Sequence, residues 1–397
     1  MPTYPTYKLG EVAKIYNGNS INAEEKEKKY KGVDGRNYIG TKDIEFDCSV
    51  NYSNGVRIPF DEKKFKIAPA GSVLVCAEGG SAGKKSAFIT EDVCFGNKLF
   101  AITNIQGLFD GKYVFYYTRY KRFFDLFKNE LSGLIGGVSS KKFGEIPIPL
   151  PPLATKRAIV TRIESLFAEL DKGVEKLKTA QQQLKVYRQA VLNDCLTKGS
   201  EMWENVKLGE VAEMCLGKML DKNKNKGNYQ PYLRNVNVRW GSFDLSDLLE
   251  MRFEDSEQER YGLQNGDLIM CEGGEPGRCA IWNGEAQNMK IQKALHRIRL
   301  KPSVLNKYVY YLFYHYAQNG LLENYFTGTT IKHLTGQSLK SIEIYLPSLP
   351  EQQRIVQEVE TRLSACDEVE KSIAESLQQA EALRQSILKK AFSGELV

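Results

Sequence analysis

The sequence lacks the features that mark secreted, disulfide-bonded or membrane proteins. Its eight cysteines never form a Cys-x-x-Cys pair, and a chain of 397 residues can bury enough apolar surface to fold without disulfide bonds. No apolar run approaches the roughly 18 residues that cross a bilayer, and no basic-then-apolar signal precedes Leu9. We therefore expect reduced core cysteines in a cytoplasmic protein that is not associated with a membrane.

Patterns typical of catalysis, metal binding and cofactor binding are also scarce. The three histidines, His296, His315 and His333, all lie in the second half of the chain, and paired zinc ligands are missing. The sequence has no glycine-rich cofactor fingerprint and no Asn-Pro-Pro-aromatic tetrapeptide of the kind found in adenine methyltransferases. We predict that the chain has no catalytic residue of its own and holds no metal or cofactor.

Two short motifs have only a partial likeness to catalytic sites. The glycine turn at 79–84 differs from a phosphate-binding loop, because Glu78 and Lys85 stand where that loop needs glycine and Ser or Thr. Glu62-Lys63-Lys64, with Asp47 or Asp61, has the form of a nuclease site. Glu-x-Lys is common in a lysine-rich chain, and the second half has no counterpart. For both motifs, an ordinary surface segment is a better interpretation than a catalytic or nucleotide-binding site.

The charge balance favours a polyanionic partner only weakly. The chain has 55 Lys and Arg against 49 Asp and Glu, which gives a formal net charge of +6 and an isoelectric point near 8.7. A solvated, mildly basic surface would give the same values.

An internal repeat is the most informative feature of the sequence. Three segments occur twice in the same order, namely 8–13 and 207–212, 73–80 and 268–274, and 112–116 and 307–311. Each copy ends with alternating apolar residues and prolines, at 146–152 and 342–347, which is typical of an edge strand. Short apolar runs, glycine turns and one aromatic helical patch alternate within each copy. We predict a duplicated α+β domain.

Each copy is followed by a segment with helical periodicity. The apolar residues that recur at steps of three and four are Ile159, Ile163, Leu166, Leu170, Leu177, Ala180, Leu184, Tyr187 and Val191, and then Ile355, Val359, Cys366, Val369, Ile373, Ala380, Leu383 and Ile387. Two helices with one apolar stripe each need a partner to bury it. We predict a pseudo-twofold internal repeat in which two long antiparallel coiled-coil helices join two tandem domains. The predicted boundaries are 1–152 and 199–347 for the domains, and 153–198 and 348–397 for the helices.

Together these motifs resemble the specificity subunit of type I restriction-modification systems. The resemblance rests on the two Lys-Leu-Gly-Glu-Val openings, the Glu-Gly-Gly turns, the Leu-Pro exits and the helix start at 351–356. The first copy departs at 154–160, where such proteins commonly have a Glu-Gln form, but Ile159-Val160 keeps the apolar stripe.

The resemblance implies a non-catalytic subunit that reads double-stranded DNA at a bipartite site, with one target-recognition domain per half-site. It also implies two modification subunits, which bring S-adenosylmethionine and methylate adenine. Motor-nuclease subunits would bring ATP and Mg. The helices would set the spacing and dock the modification subunits.

Most candidate DNA contacts lie where the two copies differ, since two different half-sites need two different surfaces. Lys84, Lys85 and Arg278 are candidates because both copies keep a cation at the glycine turn, which could reach a phosphate or base edge; a surface hairpin with solvated cations is the alternative there. The candidates are Lys26, Lys28, Lys29, Arg36, Lys84, Lys85, Asn97, Lys98, Ser139 and Lys141 in the first domain, and Lys222, Lys224, Arg234, Arg239, Arg278, Lys290, Lys293, Thr329, Thr330 and Lys332 in the second. The aromatic patches at 113–120 and 308–316 have the spacing of helical core residues. Two alternatives stay open: a self-contained restriction or modification enzyme, and a coiled-coil scaffold without a DNA role.

Overall fold

The computed structural model describes residues 4–105, 107–131, 136–221 and 223–397. Contacts divide the chain into two compact units, Met1–Lys178 with Ala374–Val397, and Thr179–Ile373. Each unit holds one copy of the repeat and a part of each long helix. Because these units divide the chain within the helices, the domain boundaries given above stay a prediction.

The first copy is built on two four-stranded sheets and a short two-stranded one. Its strands are β1 (Thr6–Lys8), β2 (Ala13–Asn17), β3 (Arg36–Ile39), β4 (Arg57–Ile58), β5 (Ile67–Ala68), β6 (Val73–Cys76), β7 (Ser86–Phe88), β8 (Val93–Phe95), β9 (Leu99–Asn104) and β10 (Pro147–Pro149). Its helices are α1 (Leu9–Val12), α2 (Ala23–Lys28), α3 (Gly111–Thr118), α4 (Lys121–Asn129) and α5 (Ser140–Gly144). One four-stranded sheet has the antiparallel order β2-β9-β6-β7, and the other has the order β4-β3-β8-β5 with β3 and β8 parallel.

The first long helix, α6 (Leu153–Thr197), leads into the second copy. There the strands are β11 (Glu204–Lys207), β12 (Ala212–Leu216), β13 (Asn228–Leu233), β14 (Val238–Arg239), β15 (Ser242–Phe243), β16 (Leu249–Phe253), β17 (Leu268–Cys271), β18 (Cys279–Ile281), β19 (Lys290–Ile291), β20 (Leu295–Leu300) and β21 (Glu343–Leu346). The helices are α7 (Leu208–Val211), α8 (Gln258–Tyr261), α9 (Asn306–Gln318), α10 (Gly336–Ser341) and the second long helix α11 (Leu349–Ser393). Short 3-10 turns cover Ser200–Met202, Asn235–Asn237, Asp255–Glu257 and Leu321–Tyr325.

The two copies share one topology. The antiparallel sheet of the second copy has the order β12-β20-β17-β18, which corresponds to β2-β9-β6-β7 in the first. The second sheet again has a parallel pair, β13 with β19, and an antiparallel neighbour, β16. In each copy the opening strand pairs with the exit strand, β1 with β10 and β11 with β21. The predicted internal repeat and the α+β class are therefore confirmed.

The two long helices run antiparallel within each unit. In the second unit, Arg188 pairs with Asp367, and Asp194, further along α6, pairs with Arg362, which lies earlier on α11. In the first unit, Arg384 of α11 pairs with Asp171 of α6. Each helix is 45 residues long. The absence of proline among the stripe residues predicts that neither helix is interrupted there. The predicted pair of long helices is confirmed.

The predicted apolar stripe is buried only in part. Ile159, Ile163 and Val191 are buried, but Tyr187 is 48% exposed, as are Val369 at 48% and Leu383 at 50%. The prediction that these three residues are buried in the apolar stripe is therefore wrong. The buried face of α11 is narrower than the predicted stripe, since Val369 and Leu383 face outward. The stripe residues that stay buried there are spaced by seven, namely Val359, Cys366, Ile373, Ala380 and Ile387. Phe167 and Leu388, outside the predicted stripe, are buried instead.

The aromatic patches form core, as their helical spacing predicts. Tyr113, Tyr117 and Tyr308 are buried. In the first unit, the ring of Phe392 from α11 lies 5.2 Å from the Tyr113 ring and 5.0 Å from the Tyr117 ring. The end of the second long helix is thus part of the first unit's core.

The eight cysteines are free. Six are buried, whereas Cys48 and Cys215 are half-buried, so the expectation that they are all core residues is wrong for these two. In the part of the chain that the structure describes, no helix is both long enough and apolar enough to span a membrane.

Candidate nucleic-acid interface

Three separate segments of the first unit meet at its Glu-Gly-Gly turn. The Ala77 amide donates to the Lys98 carbonyl at 2.9 Å, and the Val138 amide donates to the Ala77 carbonyl at 3.1 Å. The Gly79 amide donates to the Gly136 carbonyl at 3.0 Å. These bonds bring residues 77–80, 96–98 and 136–139 side by side. We call this arrangement the turn junction.

The second unit builds the same turn junction from residues 272–274, 292–294 and 333–335. The Glu272 amide donates to the Ala294 carbonyl at 2.8 Å, and the Leu334 amide donates to the Glu272 carbonyl at 2.8 Å. A buried ring supports this arrangement, since Nε2 of His296 lies 2.9 Å from the Leu334 carbonyl oxygen. Burial lowers the pKa of His296. The predicted contacts Lys293, Thr329, Thr330 and Lys332 are exposed on or beside this junction.

A fourth segment adjoins each junction. In the first unit the Gly40 amide donates to the Asp43 carboxylate at 2.7 Å, and in the second the Arg234 amide donates to Oδ1 of Asn237 at 2.9 Å. The residues in these loops that the sequence analysis missed are Thr41, Lys42, Asn235 and Val236. Both loops directly follow the strand that pairs in parallel with a later one, β3 or β13. That shared position after a strand is the signal that could have revealed them.

A cavity of about 270 Å³ lies beside the first junction. Its lining brings the predicted contact Lys26 together with Asn97 and Lys98, which are distant from it in sequence, and adds Lys42. The Lys26 ammonium lies 5.1 Å from the centre of the Tyr38 ring. Ammonium groups and amides at one opening are the groups that bind phosphates and base edges.

Many of the predicted cations form ion pairs at the surface. The pairs are Lys28 with Glu24, Lys29 with Glu62, Lys98 with Glu78, Lys224 with Asp221, Arg234 with Asp247, Arg239 with Asp244, and Arg278 with Glu275. Exposed ion pairs contribute little to stability, so a phosphate can replace the carboxylate. The hydrogen bond from Lys29 lowers the pKa of Glu62. Glu62 therefore acts as an ion-pair partner in this structure.

The glycine turn at 79–84 connects the antiparallel strands β6 and β7 rather than a strand and a helix. This differs from a phosphate-binding loop, which leads into a helix N-terminus. Lys84 is exposed, with its ammonium 3.2 Å from the Gly80 carbonyl, and the Lys85 ammonium lies 4.7 Å from the centre of the exposed Phe46 ring. The counterpart Arg278 is more enclosed, because it donates to the Asn235 carbonyl at 2.9 Å.

Lys290 requires a correction. Its side chain is only 4% exposed on strand β19, and burial lowers its pKa. The predicted contact with DNA is therefore wrong for this residue. The sequence placed Lys290 in a basic stretch, but both residues of β19, the edge strand that pairs with β13, are buried.

Other predicted residues lie on or outside the edges of the site. Ser139 caps helix α5, since its hydroxyl accepts a hydrogen bond from the Lys142 amide. Lys141 lines a separate cavity beside Lys8. The Arg36 guanidinium lies 4.9 Å from the centre of the Phe60 ring. Lys222 lies outside the described residues.

One group of metal-ligand type was found among the described residues. It consists of Asp194, Cys195 and Glu358, whose ligand atoms lie within 4.8 Å of one another. The guanidinium of Arg362 already lies among them, with Nη1 at 2.8 Å from Asp194, 3.4 Å from Glu358 and 3.6 Å from the Cys195 sulfur. The carboxylates are thus neutralised by an arginine that joins the two helices.

Comparison with known families identifies this fold. The family model for the type I restriction-modification DNA specificity domain matches residues 1–179 and again residues 200–379. The chain belongs to this family. The two matches cover both copies of the repeat, so the resemblance inferred from the motifs is confirmed.

Individual relatives agree with this assignment. The chain is 28% identical over 355 residues to the type I restriction enzyme EcoKI specificity subunit of Escherichia coli K12, covering 83% of this chain and 76% of that protein. The fold is similar to that of a chain in a solved structure that describes complex assembly and conformational transition of the type I R-M system. The TM-score is 0.79 and the identity 18%, and the match covers 100% of this chain and 99% of that chain. The HsdS subunit from Thermoanaerobacter tengcongensis has a TM-score of 0.62, 19% identity and coverage of 99% and 97%.

Proposed function

We propose that this specificity chain reads a bipartite double-stranded DNA site, with one half-site recognised by each copy of the repeat. The observation that carries the proposal is the turn junction, which has two corresponding backbone hydrogen bonds in each unit but different exposed side chains. The first junction presents Asn97 and Lys98, and the second presents Lys293 and the loop at 329–332. A constant scaffold with variable side chains is suited to reading two different sequences.

We further propose that the chain has no catalytic role. Its candidate site residues are cations, hydroxyls and amides, which bind phosphates and base edges rather than activate a nucleophile. Two modification subunits that dock on α6 and α11 would carry S-adenosylmethionine and methylate adenine. Motor-nuclease subunits would supply ATP hydrolysis and Mg-dependent cleavage. The residues of this chain would hold and orient the DNA for those partners.

Mapping of methylated adenines tests this function. The chain is expressed with its modification subunit in a host that lacks other adenine methylation, and modified positions are read across the genome. We expect one target made of two short sequences with a fixed gap. A single continuous target would contradict the assignment of one half-site to each unit.

Two assays on the purified chain address the alternatives. DNA cleavage with magnesium, or methyl transfer from S-adenosylmethionine, by the chain alone would indicate a self-contained enzyme. Filter binding with and without the modification subunit tests for a scaffold. No retention of target DNA in either case would contradict a DNA-reading role.

A further inference from the structure

The loop from Thr327 to His333 in the second unit presents one apolar side chain in polar surroundings. Ile331 is 65% exposed, and Thr329, Thr330 and Lys332 around it are exposed as well. Isolated surface hydrophobic residues are common in proteins. Ile331 is not an isolated surface residue of this kind, because its loop ends at His333, which belongs to the turn junction.

Backbone hydrogen bonds hold this loop in one conformation. The Thr327 amide donates to the His333 carbonyl at 2.8 Å, and the His333 amide donates to the Thr327 carbonyl at 2.9 Å. Gly328 has φ +90°, and a Cβ there would lie 2.2 Å from the Ile331 carbonyl oxygen. The turn therefore requires glycine at 328. Ile331 is presented by a closed hairpin.

The hairpin is also fixed to the core of its unit. His333 forms a β-bridge with Gly273 of the Glu-Gly-Gly turn, and the next residue, Leu334, is buried. The His296 ring lies 2.9 Å from the Leu334 carbonyl oxygen on the inner side. A side chain held in this way loses little conformational freedom when it binds.

These features match a particular group on DNA. The major groove is about 12 Å wide and admits a two-stranded hairpin. An isoleucine can neither donate nor accept a hydrogen bond, and the C5-methyl of thymine is the apolar group that bases present in that groove. Threonine hydroxyls and a lysine beside it suit the neighbouring base edges and phosphates.

We propose that Ile331 contacts the C5-methyl of a thymine in the half-site read by the second unit, and so determines specificity at that position. This inference rests on the proposed function. It adds a residue and a chemical group to the site, namely an apolar contact among the predicted polar ones.

Replacement of thymine by deoxyuridine tests the contact, because it removes only the methyl group. The complex of the chain with its modification subunit is titrated with target duplexes in which each thymine of both half-sites is replaced in turn. Loss of one buried methyl should weaken binding about fourfold at one position of the second unit's half-site. Ile331→Ala should bind the thymine duplex more weakly and should bind thymine and deoxyuridine duplexes equally at that position.

Two further variants serve as controls. Ile331→Val keeps a branched apolar side chain and should retain part of the thymine preference. Leu249→Ala removes another exposed apolar residue of the same unit, 44% exposed on strand β16, and should leave the preference unchanged.

Several outcomes would overturn the inference. One is a deoxyuridine penalty that is unchanged in Ile331→Ala at every thymine. Another is an Ile331→Ala loss that is the same for thymine and deoxyuridine duplexes, which would indicate an apolar wedge between base steps instead. If the wild-type complex does not bind its mapped target at all, the proposed function fails rather than the assignment of Ile331.

Discussion

The hydroxyl of Tyr113 donates a hydrogen bond of 2.7 Å to the carbonyl of Pro149, the last residue of the strand that leads into helix α6. The second copy repeats this bond between Tyr308 and the Tyr345 carbonyl, also at 2.7 Å. In each copy a buried tyrosine of the aromatic helix thus fixes the strand through which the chain leaves the domain.

We predict that Tyr113→Phe and Tyr308→Phe each lower the free energy of unfolding. Removal of the hydroxyl leaves a carbonyl of the exit strand without its partner, which costs about 1–2 kcal/mol. Denaturant titration of the purified chain measures the effect. Tyr229→Phe is the matched control, because that ring is 62% exposed, and it should be neutral. Equal stability of all three variants would contradict a structural role of the bond.

Acidification should destabilise the second copy through its histidines. Burial lowers the pKa of His296 and of His315 below the ordinary value of 6.5, so the folded state favours the neutral rings. The unfolded chain therefore takes up protons first, and stability falls as the pH drops below about 6.5. The loss ends once the folded rings also become protonated.

Thermal unfolding between pH 7.5 and 5.5 tests this dependence. The double variant His296→Gln and His315→Gln should show a flatter profile than the wild type. An identical profile for the double variant and the wild type would show that other groups cause the dependence.

Lys84 and Lys85 remain predicted DNA contacts. If each binds a phosphate, Lys84→Ala with Lys85→Ala should weaken binding and reduce the slope of log affinity against log salt by about 1 per lost contact. The charge-matched control is Lys63→Ala with Lys172→Ala, since both lysines are exposed and lie outside the turn junction, Lys172 on α6. Unchanged affinity and slope in the Lys84 and Lys85 variant would favour a hairpin with solvated lysines.

The internal duplication predicts that each domain reads its own half-site independently of the other domain. Exchange of residues 1–152 for the same domain of a relative should change one half of the methylated target and leave the other half unchanged. Genome-wide mapping of methylated adenines provides the readout. A change in both halves would show that the two domains do not read separately.

The predictions from sequence were accurate where the signal is local. A long run without proline and with recurring apolar residues predicts a helix, and α6 and α11 are present. The repeat of short segments predicts one topology used twice, because equal sequences at equal spacing form equal elements. The aromatic patches predict core because Tyr113 and its neighbours recur at helical spacing.

Less of the candidate site could be predicted from the sequence. The turn junction joins segments about 20 to 60 residues apart through backbone hydrogen bonds, such as those of Ala77 with Lys98 and with Val138. No local sequence pattern predicts these long-range hydrogen bonds. Lys290 looked like any other lysine of a basic stretch, yet its strand is buried. Thr41, Lys42, Asn235 and Val236 were missed because their loops gain significance only beside the other three segments.

Helix length should set the gap between half-sites. In the first unit Asp171 lies opposite Arg384, so Leu177, six residues further along α6, is level with residue 378. One heptad inserted after Leu177 and one after Leu377 should keep the apolar faces aligned and add about 10.5 Å. We expect a gap longer by about 3 base pairs with unchanged half-sites.

Target mapping of the lengthened chain provides the test. Three heptads in each helix add about 9 base pairs, which leaves the half-sites roughly 50° from their original rotational alignment, whereas 3 base pairs leave them roughly 100° from it, given ~10.5 base pairs per turn. A folded, active variant that still methylates at the original spacing would contradict the role of the helices.

The contribution of α11 to the first unit also affects how the chain folds during its synthesis. Ala374–Val397 belongs to this unit, and Phe392 packs on the tyrosines of α3. During synthesis the first copy of the repeat therefore waits for α11, which follows the second copy in the chain, before its core is complete. A product cut short within α11 exposes these aromatic rings, and exposed apolar surface of this kind is what chaperones engage. The second long helix thus makes completion of the first copy's core depend on prior synthesis of the second copy.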